Sequence, residues 1–526
     1  MDNVQFEQGC TLFFSIMETV QLILSPLEAH NAEQKYRVVK RSIDARQREL
    51  KVLLTILVDE KGHKVGREAP IPLYEPPHFQ DVHHAERTAI IIGAGPAGLF
   101  AALTLLEHGI RPIIYERGKE VSARKVDIAR LNRNLGLNPE SNYCFGEGGA
   151  GTFSDGKLFS RSKKRGNMQR VMELFHYFGA KDNVLYEAHA HIGSDKLPSI
   201  IRAIRECIIA HGGEIHFETC VDKSLFHNLS TPSLRGAGEL HPPIILSIGH
   251  SAHDTYRMLL EEGVALEPKG FAMGVRVEHP QSLINQLMYH NQPQEMIDLV
   301  GNASYSLVTQ VQGRGVYSFC MCPGGHIVPA GSSAESCVVN GMSASHRNSP
   351  YANSGMVVEI RPEDVTNVQC TMHNAQSIPT LEFQEWLEHE AFLHGGTDNQ
   401  APAQRLRDFV EGRLSRNLPA CSYLPGVVSS RLDEWLPAHI GPRLQQGFRD
   451  FERKYRGFLT NEAVILGVES RSSSAVRIPR NPETLQSVST PNLYPCGEGA
   501  GYAGGITSSA LDGINAALKI AEKYNL

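Results

Sequence analysis

Three short stretches carry residue types and spacings that suit chemistry. In "GAGPAG", Gly93, Gly95 and Gly98 are spaced so that a turn leaves backbone N–H groups free for phosphates. In "FGEGGAGTFSDGKL" (145–158), Gly146, Gly148, Gly149 and Gly151 leave bare backbone that can approach a flat aromatic ring, and Lys157 adds a cation. In "SFCMCPGGH", Cys320 and Cys322 share one face of a strand. Two thiols there suit electron relay or proton donation, and they suit a small apolar core equally well. His326, after two glycines, reads as a general acid or as a structural histidine, and His250 and Arg276 have the same two readings.

The elements around the first stretch give it meaning. "RTAIII" is an apolar strand, the glycine turn follows, and a helix and a second apolar strand lead to Glu116. Gly93 serves the tight turn, Gly95 admits a pyrophosphate, and Gly98 lets helix pack on strand. Glu116 stands where an acid accepts ribose hydroxyls. A second glycine turn comes near the end, in "NLYPCGEGAGYAGGITSSALDGI", another strand-turn-helix. There Glu498, beside Gly497, is placed to bond a ribityl chain, and the helix start at Gly505 and Ile506 would face the end of a flavin that gains negative charge. The turn at Gly249 after "PPIILSI" lacks further glycines, so no second nucleotide domain is announced. The two glycine turns therefore predict opposite ends of one noncovalent FAD. Pro96, Ala97, Arg117, Arg124, Gly148, Gly149 and Val221 complete the expected cofactor contacts.

The remaining sequence bounds this reading. A chain of 526 residues expects two or three domains. A net charge of −6 gives no reason to expect nucleic acid, and no apolar run is long enough to span a membrane. Ten cysteines without a CxxC pair argue against zinc and against a disulfide framework, and favour the cytoplasm. No metal site is expected. The start at Cys10 lacks the marks of a signal peptide, and Met17 is an alternative first residue. We expect a small N-terminal α+β domain (17–68), a proline-rich linker (69–86), a Rossmann-like FAD-binding domain (87–270 and 456–526) and an inserted α/β substrate or cap domain (271–455). The basic run Lys40, Arg41, Arg46 and Arg48 and the charged "RSKKRGN" after Ser160 read as solvated faces before they read as anion sites. Gln400, Gln404 and Arg405 are candidate pocket residues.

"KRSIDAR", "FGEGGAGTFSDGKL", "SIGHSAHDTY", "GVRVEHPQ", "FCMCPGGHIVPA", "APAQRL" and "GEGAGYAGGI" together resemble the FAD-dependent dehydrogenases often labelled NAD- or FAD-utilising, from about Val20 onward. The resemblance implies a flavin oxidoreductase fold with an inserted substrate domain, and no particular substrate. The expected function is hydride exchange between flavin N5 and a small organic molecule, with NAD(P)H as a transient donor. The alternatives are a non-catalytic or sensory FAD protein and an RNA-modifying flavoprotein.

Overall fold

The computed structural model describes residues 18–69, 76–159, 166–230, 241–365, 377–396 and 399–524. The start expected at Met17 and the charged part of "RSKKRGN" lie outside them.

Three antiparallel strands open the chain, with Lys51–Val58 between Glu18–Leu24 and Val38–Asp44. Alternate residues of the middle strand (Val52, Leu54 and Ile56) are buried against Ala29 and Ala32 of the helix Pro26–Lys35. A reciprocal bond pair between Ser25 and Glu28 caps that helix. In the basic run, Arg41 pairs with Glu33 at 2.7 Å and Arg46 with Asp44 at 2.6 Å. Arg41 is thus largely sheltered in its ion pair, whereas Arg46 stands exposed.

The second sheet has five parallel strands. Thr88–Ile92 lies in its middle, Ile244–Leu246 and Leu493–Pro495 lie on one side, and Arg111–Tyr115 and Glu214–His216 lie on the other. Its middle strand is covered on both faces, which is why "AIII" reads as an unbroken apolar run. Helix Pro96–Glu107 sits on the sheet and packs in turn against the C-terminal helix Ile506–Tyr524. The contact is so close that a Cβ on Gly513 would stand 2.0 Å from the Ala97 carbonyl oxygen. The two glycine turns are thus clamped together by their own helices. Residues 76–86, expected as a linker, are packed instead: Phe79 and Val82 are buried in this domain's core, and the Val82 N–H donates to His211 O at 2.8 Å.

The third large sheet is a seven-stranded mixed sheet. In order it runs Val308–Val311, Arg314–Cys322, Tyr351–Ile360, Phe271–Pro280, Val464–Glu469, Ala401–Arg405 and Val427–Ser429. All its pairings are antiparallel except the last. Strand Val464–Glu469 lies inside it, so the cap extends past the boundary expected at 455. None of the described helices is long and apolar enough to cross a membrane.

Candidate functional site: a cavity at the carboxyl ends of the parallel strands

Four strands of the parallel sheet deliver their carboxyl ends to one cavity of about 370 Å³. Ile92–Gly93, Tyr115–Glu116, Ser247–Gly249 and Gly497–Glu498 all line it. This is where open α/β sheets hold ligands, because the turns after the strands leave backbone groups unpaired there. Two helix N-termini, at Pro96 and Ile506, open onto the same space and favour negative charge in it.

The cavity walls fit a dinucleotide at the glycines. A Cβ on Gly249, Gly504 or Gly505 would meet nothing within 4 Å, and one on Gly95 would find only the Gly149 Cα, at 3.9 Å. All these glycines border the cavity, so bare backbone faces open space where a phosphate or a ring must come close. Gly98 works differently. Its Cβ would lie 2.0 Å from Gly93 O, so it serves helix packing and does not line the cavity.

Most expected contact residues border the cavity: Gly93, Gly95, Pro96, Ala97, Glu116, Arg117, Gly149, Val221, Gly249, Gly497, Glu498, Gly505 and Ile506. Two of them are already engaged. The Arg117 guanidinium bonds both Glu140 and Asp254 and lies over the Phe145 ring, so its charge is answered. Glu116 is buried, and its carboxylate accepts the N–H groups of Ala94, Gly118 and Gly146 at 2.8–3.0 Å. It ties the fingerprint turn to the second glycine stretch while still bordering the cavity. Glu116→Ala should therefore lower the stability of the FAD-free protein by about 2–3 kcal/mol, from orphaned amides, and weaken FAD about tenfold. Thermal melts and flavin-fluorescence titration check both. An unchanged FAD affinity would remove Glu116 from the cofactor's contacts.

Other expectations are corrected. Arg124 is fully buried behind the 142–149 loop, and all its donors go to backbone carbonyls. Gly148 also stands off the cavity, with its N–H on Ala94 O at 2.8 Å. His326 is exposed on a hairpin strand away from the lining. Gln404 bonds Arg413 O and Asp433, and Arg405 bonds the backbone of Asn417, at the far side of the cap sheet. Neither borders the cavity, and neither does Gln400. Arg276 is wholly buried in a bond network with Glu469, Asn353 and the Cys320 carbonyl, whereas His250 lines the cavity 3.5 Å from Glu498.

The cap closes the cavity with Phe319, Cys320 and Asn340, facing Lys157 and Asp155 of the second glycine stretch. Lys157 Nζ stands 3.2 Å from Asp155, 3.8 Å from the Cys320 sulfur and 3.5 Å from the Cys322 sulfur. Asp155 is also bonded by Arg347, at 2.6 Å. Burial, followed by Arg347, pushes His191 beside them down to about 4, so it is neutral near pH 7. Its Nε2 lies 3.1 Å from the Ser345 carbonyl.

Residues without a sequence signal complete the wall. Arg471 borders the cavity, paired with buried Glu388 and 3.4 Å from the Cys144 sulfur, and Asn340 comes from a cap hairpin. Only the tertiary fold brings these together.

The chain matches the FAD binding domain family over residues 86–141 and the family described as FAD-dependent protein, C-terminal domain-like, over residues 270–472. A protein of Clostridium beijerinckii described as uncharacterized is 39% identical over 507 residues, covering 93% of this chain and 92% of that one. Among solved structures, CtdE in complex with FAD aligns with a TM-score of 0.30 at 11% identity, over 83% of this chain and 84% of its own. The tetracycline destructase Tet(51) aligns with a TM-score of 0.30 at 12% identity, over 83% and 81%. The chain belongs to one family with the Clostridium beijerinckii protein, and it is an FAD-dependent flavoprotein whose FAD-binding domain is built on the Gly93–Gly98 turn.

Proposed function

We propose that this protein is an oxidoreductase that exchanges a hydride with a small organic substrate held between the parallel sheet and the cap sheet, with NAD(P)H as a transient donor. The observation that carries the reading is the two-sided cavity. One wall is bare glycine backbone and helix N-termini; the other is a set of thiol, ammonium and amide side chains from the cap and the 145–158 loop. FAD held there supplies two-electron chemistry.

The chain's own residues would act as follows. Gly95 and Gly249 admit the cofactor without steric conflict, and Glu116 keeps the fingerprint turn in register with the second glycine stretch. The N-terminus of the Ile506–Tyr524 helix favours negative charge at its end of the cavity. Lys157 holds protons beside the space left for substrate. Burial lowers its affinity for them, but Cys320, Cys322 and Asp155 outweigh burial and keep it above the usual lysine value. The cap sheet keeps bulk water from the reacting groups.

The test is the visible spectrum of the purified protein, followed without oxygen after adding NADH and then NADPH. A two-banded flavin spectrum that bleaches with one of them is the expected result. Flavin that stays oxidised with both would overturn NAD(P)H as donor and favour a non-catalytic FAD protein.

A further inference from the structure

We propose that Cys320 and Cys322 form a redox-active dithiol in the cavity wall, with Cys320 the attacking thiolate, Cys322 the resolving thiol and a small organic disulfide as the substrate. The pair sits where the cap sheet breaks register. Strand Arg314–Cys322 loses its regular pairing with Tyr351–Ile360 between Phe319 and Cys322, and Cys320 takes a φ of +45°. A non-glycine residue adopts that conformation only where its surroundings hold it there. Cys320 borders the cavity and is partly exposed, whereas Cys322 is fully buried beneath it and 3.3 Å from the Cys320 carbonyl oxygen. An accessible sulfur backed by a sheltered one is the arrangement a two-step exchange needs.

Cations in contact with the two sulfurs favour a thiolate. Lys157 lies against both sulfurs, and the Arg276 Nη2 lies 3.7 Å from the Cys322 sulfur. Arg347 joins them through Asp155. Four carboxylates face these three cations: Asp155 and Glu469 in direct contact, with Glu278 acting on Arg276 and Glu187 on Arg347 from farther off. Lys157, in contact with both sulfurs, is the cation that a thiolate at position 320 would pair with. The hydrogen bond with Cys322, with Lys157 and Arg276 behind it, holds the Cys320 thiol well below its ordinary value against burial. That same bond, together with burial, raises Cys322, so it keeps its proton.

The exchange balances. The Cys320 thiolate attacks one sulfur of RSSR; a Cys320–S bond forms, the substrate S–S bond breaks and RS⁻ leaves. RS⁻ takes the proton of the Cys322 thiol. The Cys322 thiolate then attacks the Cys320 sulfur, the Cys320–Cys322 bond forms and the second RS⁻ leaves. Two electrons pass from the dithiol to the substrate, which departs as RSH and RS⁻, and one negative charge stands on each side. Two electrons and one proton from a reductant of the hydride-donor class restore the pair. Only that return step rests on the reading given under Proposed function.

The test uses the forward half-reaction alone. FAD-loaded protein is treated with 2-hydroxyethyl disulfide at pH 6.5, quenched with acid and mapped by peptide mass. Wild type should yield a Cys320–Cys322 disulfide with no adduct on that peptide. Cys322→Ser should trap a mixed disulfide on Cys320. Lys157→Met should slow the reaction at least tenfold at pH 6.5 and recover at pH 9, a pH profile that a purely structural lysine would not produce. The proposal is overturned if the 320–322 peptide stays reduced while Cys144 or exposed Cys220, which also border the cavity, carries the label. It is overturned equally if Cys322→Ser traps nothing on Cys320, a result that does not depend on the folding of the lysine variant. Neither outcome bears on whether NADH or NADPH bleaches the flavin.

Discussion

Gly95→Val should weaken FAD binding at least about 100-fold, or ~2.7 kcal/mol, while the FAD-free protein melts at its usual temperature. Gly95 has a φ of −75° and a ψ of −175°, extended backbone that valine adopts without strain. Nothing in the protein stands within 3.9 Å of the position its Cβ would take. Its methyl groups would extend into the cavity toward Gly149, where the pyrophosphate has to approach the turn. Gly95→Ala, adding one carbon, should give an intermediate loss of about tenfold. Gly98→Ala is the contrast. Its Cβ would meet Gly93 O at 2.0 Å and Ser247 Oγ at 2.9 Å, so helix and strand must separate and the FAD-free protein itself should lose stability. Flavin-fluorescence titration and thermal melts of the three variants separate the roles. If Gly95→Val retains wild-type affinity, the fingerprint turn does not hold the pyrophosphate.

This contrast also marks how far the sequence is informative. The glycine spacing, the apolar run before it and Glu116 after it are local signals. They arise because a turn, a strand and a helix each impose their own pattern on neighbouring residues, so both glycine turns and the parallel strands were legible. The cap strands "FAMGVRVEH" and "GMVVEI" were legible for the same reason, being long enough to show a buried run. Side-chain destinations were not. Glu116 suits ribose hydroxyls and backbone amides equally, and only the fold shows three amides already on it. Gln404 and Arg405 read as polar residues beside a proline-containing helix start, but their strand lies toward the far edge of the sheet. Phe79 and Val82 were hidden in a proline-rich segment whose composition suggests a linker. The break in the ladder at Cys320 has no sequence signature, since regular alternation already placed both thiols on one face.

Arg124 shows most clearly what spacing cannot reveal, and its replacement should have the largest effect on the fold. Arg124→Ala should destabilise the FAD-free protein by about 3–5 kcal/mol and remove FAD binding as a consequence. The guanidinium donates to the carbonyls of Asn142, Tyr143, Gly146, Glu147 and Gly149 at 2.8–3.2 Å and lies over the Phe153 ring. Burial lowers it to about 10, with Glu116 opposing, so it remains charged at neutral pH. Those carbonyls belong to the loop that forms one wall of the cavity. Without the arginine, several face the interior with no donor, and the loop must open to water or collapse. Lysine cannot substitute, because one ammonium has three donors and no planar fork to reach five carbonyls, so Arg124→Lys should be nearly as damaging as alanine. Thermal melts without FAD decide the matter. A residue that touches only the cofactor would leave those melts unchanged and weaken FAD alone. That result would return Arg124 to the cavity and refute its role as the brace behind the wall.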